Sequence, residues 1–262
     1  MNFNEVRELL WLATFFYGVS FLMGIVKTRC SLPQIAQESS FYLTLIGFCI
    51  QTRALYFRGL EVHGCPLGNG LERIQFILWS LILAYLLLRL LWRLNLLGTF
   101  CSGVSLVFSL VSLLSTNLDN SYWTASGYIR LFKDPWIELH ASIAIFSYGL
   151  FCLLTVVSTM YLTQRKALLS RRLGILGPFL PPIQELEIAG LRLLLIGVCF
   201  LSLSMVVGTM HWTRHPEFVS QIKLGVTIAL WIGYLVLLVL RLSNVLYGRR
   251  FAKCSISLFV LP

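Results

Sequence analysis

Four side chains in this sequence, His63, His140, His211 and His215, can hold a metal ion or exchange a proton near neutral pH. His140 has the most telling setting. It closes the stretch Asp134-Pro135-Trp136-Ile137-Glu138-Leu139-His140 and opens the apolar run Ala141 to Leu162. An imidazole at the mouth of such a run is costly to leave unpaired, so a partner or a ligand is expected. His211 and His215 stand four apart, a separation that puts two side chains on one helical face for a metal ion. Pro216 biases the residue before it away from helix, and Gly208 loosens the turn below, so both features count against a dedicated two-histidine site. The seven cysteines are scattered singly with no Cys-x-x-Cys pair, which is neither a zinc nor a dithiol redox pattern. No nucleophile and base stand together, so catalysis is not expected of this chain by itself.

Upstream of His140, the stretch 117–136 interleaves Tyr122, Trp123, Tyr128, Phe132 and Trp136 with Arg130 and Lys133. One reading is an aromatic belt at a membrane interface. The other is a flat apolar shelf with cationic partners, which would suit a porphyrin ring and its two propionates. The stretch Glu61 to Arg73 is dense in turn formers, with His63, Gly64, Pro66, Gly68 and Gly70. It reads either as a turn joining two helices or as a loop that shapes a site, with His63 as an auxiliary ligand or a surface histidine.

The elements that must position these residues follow from composition. With 57% hydrophobic and 12% charged residues in 262 and a mean hydropathy of +0.80, no water-soluble core could absorb the apolar surface. The solvent is lipid. Crossing the hydrocarbon takes about 20 mostly apolar residues, and such stretches lie near 9–26, 38–57, 71–92, 94–116, 138–162, 187–210 and 220–242. The expected fold is therefore all-α, a polytopic helical membrane bundle of about seven spans, forming a single integral membrane domain over 1–262. After Arg249-Arg250 the segment Phe251 to Pro262 is apolar but too short to cross, so a last span is expected to be truncated or missing. The first apolar stretch follows Glu5 and Glu8 rather than a basic region, and reads as a retained span.

The net charge of +10 could suggest nucleic acid, but its placement argues against that partner. Lys27 and Arg29, Arg89 and Arg93, Arg165 to Arg172, and Arg241 to Lys253 occupy every second connection. This is the positive-inside pattern, and it puts the N-terminus and all four histidines outside. In the fourth span Gly98, Ser102, Ser105, Ser109, Ser112 and Thr116 recur at steps of four and three. Such a seam lets helix backbones approach closely in lipid. In the fifth, the face through His140 continues as Ala144, Ser147, Tyr148 and Phe151, too polar for lipid and hence inward-facing.

From about Gly64 to Lys253 the order of features resembles the cytochrome c assembly family of membrane proteins, most of all its short HemX-like and YpjD-like branch. The marks are Cys65-Pro-Leu-Gly-Asn69 with Glu72; Leu139-His140 with Ala144 and Ser147-Tyr148-Gly149; Leu180-Pro-Pro-Ile-Gln-Glu-Leu-Glu187; Gly197 through Gly208; and Lys223 with Trp231 leading to Tyr247-Gly-Arg-Arg250. The resemblance implies that His140 matches the outer-face histidine that ligates haem iron in haem-delivering members. This chain departs from those members in having only His211-Trp-Thr-Arg-His-Pro-Glu217 where they carry a tryptophan-rich, Asp-containing stretch, and in having no histidine after His215.

The expected function is haem handling in cytochrome c assembly at the extracytoplasmic face of a bacterial inner membrane. His140 would ligate iron, with His211 and His215 as further metal candidates. Trp136, Trp123 and Trp212 are the shelf candidates, and Arg130 or Arg214 the propionate partners. The expected partners are the lipid bilayer, other cytochrome c assembly proteins and an apocytochrome c whose cysteines form the thioethers. Two alternatives stand beside it. One is a membrane regulator that binds a partner through the basic inner loop Gln164 to Arg172, since the HemX-like branch is associated with control of haem synthesis. The other is a cation or small-solute transporter, which the scarcity of carboxylates inside spans disfavours.

Overall fold

A computed structural model describes residues 3–29, 34–62, 64–92, 97–115, 135–170, 182–213 and 221–260. Its helices are α1 (Phe3–Arg29), α2 (Gln34–Val62), α3 (Gly70–Trp92), α4 (Leu97–Leu114), α5 (Pro135–Leu169), α6 (Ile183–Trp212), α7 (Gln221–Leu242) and α8 (Gly248–Val260), and no strand occurs among the described residues. Six of them, α1 and α3 to α7, are long and apolar enough to cross a membrane. The chain is thus an all-helical integral membrane protein.

The second expected span falls within α2, which does not reach the apolarity of those six. At 29 residues α2 measures roughly 43 Å at 1.5 Å per residue, so length is not the reason. Its polar side chains are engaged with neighbouring helices instead. Tyr17 donates to Gln51 Oε1 at 2.7 Å, and Gln51 Nε2 donates to Gln75 Oε1 at 2.9 Å. Gln75 Nε2 in turn reaches Ser109 at 2.9 Å and Ser112 at 3.0 Å, while Ser109 also meets Thr14. The chain of bonds therefore links α1, α2, α3 and α4. Buried amides and hydroxyls without partners would cost about 1–3 kcal/mol each, which explains why polar residues at these depths come in matching sets.

Contacts gather the chain into two compact units, one holding α1 to α4 and the other α5 to α8. In the first, the small-residue seam of α4 is buried from Gly98 through Ser112, between α1 and α3. A methyl group at Gly98 would run into the Tyr85 hydroxyl. The sixth seam residue, Thr116, lies outside the described residues.

The turn between α2 and α3 is built around a buried ion pair. Arg58 Nε donates to Glu72 Oε1 at 2.7 Å, and the other Glu72 oxygen accepts the Gly68 amide at 2.7 Å. Asn69 Oδ1 accepts the Glu72 amide at 2.7 Å, the bond expected of a residue capping a helix start. Arg73 Nε donates to the Leu67 carbonyl at 3.0 Å. Pro66 through Asn69 are buried in consequence. His63 lies outside the described residues.

In the second unit, α5 and α6 pack antiparallel. Phe151 of α5 is fully buried, stacked on Tyr234 of α7 with ring centroids 3.7 Å apart. It occupies the space that Gly197 leaves on α6. Trp231 of α7 donates to Ser202 of α6 at 2.9 Å. The inner connection expected from Gln164 begins as helix, because α5 continues to Leu169. Nothing from Gln164 to Leu169 breaks a helix, and Lys166 in the last turn suits the dipole there.

The helix α7 ends in a left-handed residue, Asn244 (φ 61). The Asn244 amide donates to the Arg241 carbonyl and the Val245 amide to the Leu240 carbonyl, the pair of bonds that closes a Schellman cap. From there α8 turns back along α7. Gly248 (φ +51) lies against the Tyr161 hydroxyl, and Leu258 packs at Gly233 of α7. Arg241 is paired with Glu187 at 3.5 Å and faces the rings of Tyr247 and Phe251. The short apolar tail read from the sequence is therefore a helix with a buried face of Phe251, Ala252 and Ser255.

Candidate functional site: His140 on a small-residue stripe

His140 lies in the second turn of α5, half-buried against α6. Its Nδ1 is 2.7 Å from the backbone carbonyl oxygen of Ser204 and 3.0 Å from Ser204 Oγ. A carbonyl oxygen can only accept, so Nδ1 carries a proton, and in the neutral ring the lone pair is then on Nε2. The Ser204 hydroxyl donates to the carbonyl of His140 at 3.0 Å. The two helices thus hold each other reciprocally at this level. One turn further along α6, Gly208 leaves the space that the imidazole fills; a Cβ there would sit 2.7 Å from Nδ1 and 2.9 Å from Cε1.

In the neutral imidazole this arrangement gives a basic Nε2 and a hydrogen-bonded Nδ1–H, the state in which histidine ligates metals. The donor chemistry therefore fits haem iron, which His140 would hold through Nε2. Trp136 stands four residues before His140, on the same helical face, and is 39% exposed. From Ala141 to Phe146, α5 is only partly covered by described residues, whereas Ser147, Phe151 and most of the helix up to Tyr161 are buried. Among the described residues, the less covered part of α5 is the end that carries His140.

The remaining sequence candidates are distributed as follows. His211 and Trp212 close α6 in backbone terms, but their side chains are outside the described part. Trp123, Arg130, Arg214 and His215 lie outside the described residues altogether. Among the described residues no group of three His, Cys, Asp or Glu side chains is placed to hold a metal ion. Sequence reasoning missed Ser204, and it noted Gly208 only as loosening a turn and as part of a family mark, not as the residue that makes room for His140. A signal for them exists: Gly190, Gly197, Ser204 and Gly208 are spaced 7, 7 and 4, a stripe of small residues along one face of α6. Gly190 and Gly197 lie against Leu154 and Phe151 of α5, as Gly208 lies against His140.

With a single imidazole held on the interior face of a membrane helix, a match to known sequences becomes informative. The family model for cytochrome C assembly protein matches residues 67–261. The chain belongs to the cytochrome c assembly family. It is similar to the protein HemX of Brevibacillus brevis, with 26% identity over 204 residues, covering 78% of this chain and 73% of that one. It is likewise similar to the cytochrome c biogenesis protein CcsA of Prochlorococcus marinus, with 22% identity over 277 residues, covering 92% and 85%. The CcsA of Guillardia theta shares 24% identity over 169 residues, covering 63% of this chain and 53% of that protein; the match spans about half its length. The family match begins at Leu67, inside the buried turn, and runs through α8. It therefore includes both the Glu72 cap and the His140 clasp, and membership supports a role in cytochrome c biogenesis.

Proposed function

We propose that this protein handles haem during cytochrome c assembly, and that His140 holds the haem iron at the extracytoplasmic face of a bacterial inner membrane. The observation that supports this most is the bond from His140 Nδ1 to the Ser204 carbonyl, which leaves Nε2 as the ligand atom at the end of α5 that described residues cover least. Trp136 offers apolar surface beside it. Trp123 and Trp212 extend the shelf, Arg130 or Arg214 pairs with the propionates, and His211 and His215 are further candidates for metal contact. When bound, haem supplies the iron and the vinyl groups that become thioether links. The cysteines come from an apocytochrome c partner, and other cytochrome c assembly proteins complete the machinery.

The absorption spectrum of the detergent-purified protein tests this. A Soret band is expected in the wild type, as isolated or after haem is added. It should diminish strongly in His140→Ala and persist in His63→Ala. A wild type that neither carries nor takes up haem would overturn the proposal.

A second reading, a regulator that docks a partner on the cytoplasmic side, draws on the similarity to HemX and on the exposed Lys166, Arg249, Arg250 and Lys253. Capture of a partner by this basic surface from a wild type devoid of haem would favour it.

A further inference from the structure

We infer that Ser204 and Gly208 are positioning residues for His140, setting which imidazole nitrogen carries the proton and where the other nitrogen is aimed. The inference rests on the proposal that His140 ligates haem iron, and it deepens that proposal by naming what aims the ligand.

Histidine free in water favours the proton on Nε2, the wrong tautomer for ligation through that atom. At this site the Ser204 carbonyl lies 2.7 Å from Nδ1 and demands an N–H there. The Ser204 hydroxyl spends its proton on the His140 carbonyl at 3.0 Å, so toward Nδ1, also at 3.0 Å, it offers only a lone pair. Both Ser204 oxygens therefore favour the same tautomer.

Inside a helix, the carbonyl of residue 204 is normally occupied by the amide of residue 208, but it has a second lone pair. A helical side chain lies over the turn that precedes it, so any side chain at 208 would cover the Ser204 carbonyl. Glycine leaves that lone pair open. A Cβ at 208 would meet Nδ1 at 2.7 Å and Cε1 at 2.9 Å. Both distances are too short to persist, and the ring could retreat only by leaving its acceptor. Gly225 on α7 makes a clean control, since a Cβ there meets nothing within 4 Å.

The test uses the full-length protein in detergent, with haem titrated by its Soret band, the reduction potential of the bound haem, and nitrogen-15 NMR of histidine-labelled, haem-free protein. His140→Ala identifies the resonance. Gly208→Ala should lower haem affinity roughly 10–100-fold, the range typical when a partner behind a metal ligand is lost, and should move the His140 proton off Nδ1. Ser204→Ala keeps the backbone carbonyl, so its loss should be under about tenfold, accompanied by a changed reduction potential. Gly225→Ala should match the wild type. A purely structural role would lower thermal stability and leave tautomer, spectrum and potential unchanged, which overturns the inference. So does a wild-type His140 found protonated on Nε2, a result that decides the matter even if Gly208→Ala fails to fold. If wild type takes up no haem, or His140→Ala keeps the wild-type spectrum, the underlying proposal falls and this one with it. If haem binds through His140 and Gly208→Ala is indistinguishable from wild type, only the inference falls.

Discussion

At the scale of single residues, two polar groups, the half-buried His140 and the buried Glu72, are each held by atoms that a sequence displays poorly. His140 was visible from its place at the head of an apolar run. Its acceptor was not, because a backbone carbonyl has no side-chain signature, and Ser204 lies 64 positions away. Glu72, in the first turn of the third span, suits the helix dipole, whereas Arg58 reads from sequence alone as a long side chain snorkelling to the outer interface; the structure instead buries it against Glu72. Arg58 and Glu72 are 4% and 3% exposed at the residue level, so Glu72→Gln removes the buried counter-charge of the guanidinium and keeps the more exposed Glu61. Breaking a buried pair in this way costs on the order of 3 kcal/mol. The expected outcome is a clearly lower unfolding midpoint in detergent, with the Soret band of the folded fraction kept. An unchanged midpoint would show that the pair is not holding the turn.

At the scale of elements, the small-residue stripes on α4 and α6 do the same physical work against different neighbours. In lipid, helices gain little from expelling water, so close backbone approach and complementary shape decide association. The stripe of α4 could be read from its four-three spacing, and the structure buries it; the stripe of α6 was hidden among leucines and valines. The helix α8 was read only as an apolar tail. What makes it an element is tertiary: Phe251 lies against Gly190 of α6, and Leu258 against Gly233 of α7. Replacing Phe251 by alanine should remove on the order of 3 kcal/mol of packing. Amide exchange across 248–260 should then accelerate while that of α1 to α4 stays as before; equal protection in both forms would mean that α8 is held by something else.

At the scale of the molecule, the alternation of basic connections in the sequence predicts that His140 faces the extracytoplasmic side, and the proposed chemistry depends on that orientation. A cysteine placed at Trp136 in an otherwise cysteine-free chain should react with a membrane-impermeant maleimide added to intact cells. One placed at Lys166 should react only after permeabilisation. The reverse pattern would put the imidazole on the cytoplasmic face and remove the rationale for haem presentation outside. Family membership over residues 67–261 places the chain in cytochrome c biogenesis, whichever way this experiment falls.

Composition and periodicity alone established that the solvent is lipid, that the elements are helices, and roughly where most of them begin and end, because backbone satisfaction and bilayer thickness leave few alternatives to a spanning segment. They also singled out His140, because an ionisable ring is conspicuous against an apolar run. Only the folded chain decided which polar groups meet: Gln51 with Gln75, Arg58 with Glu72, and the imidazole with a carbonyl uncovered by glycine. Those pairings depend on the rotation and register of one helix against another, set by contacts between residues far apart in the chain, and no local pattern records them.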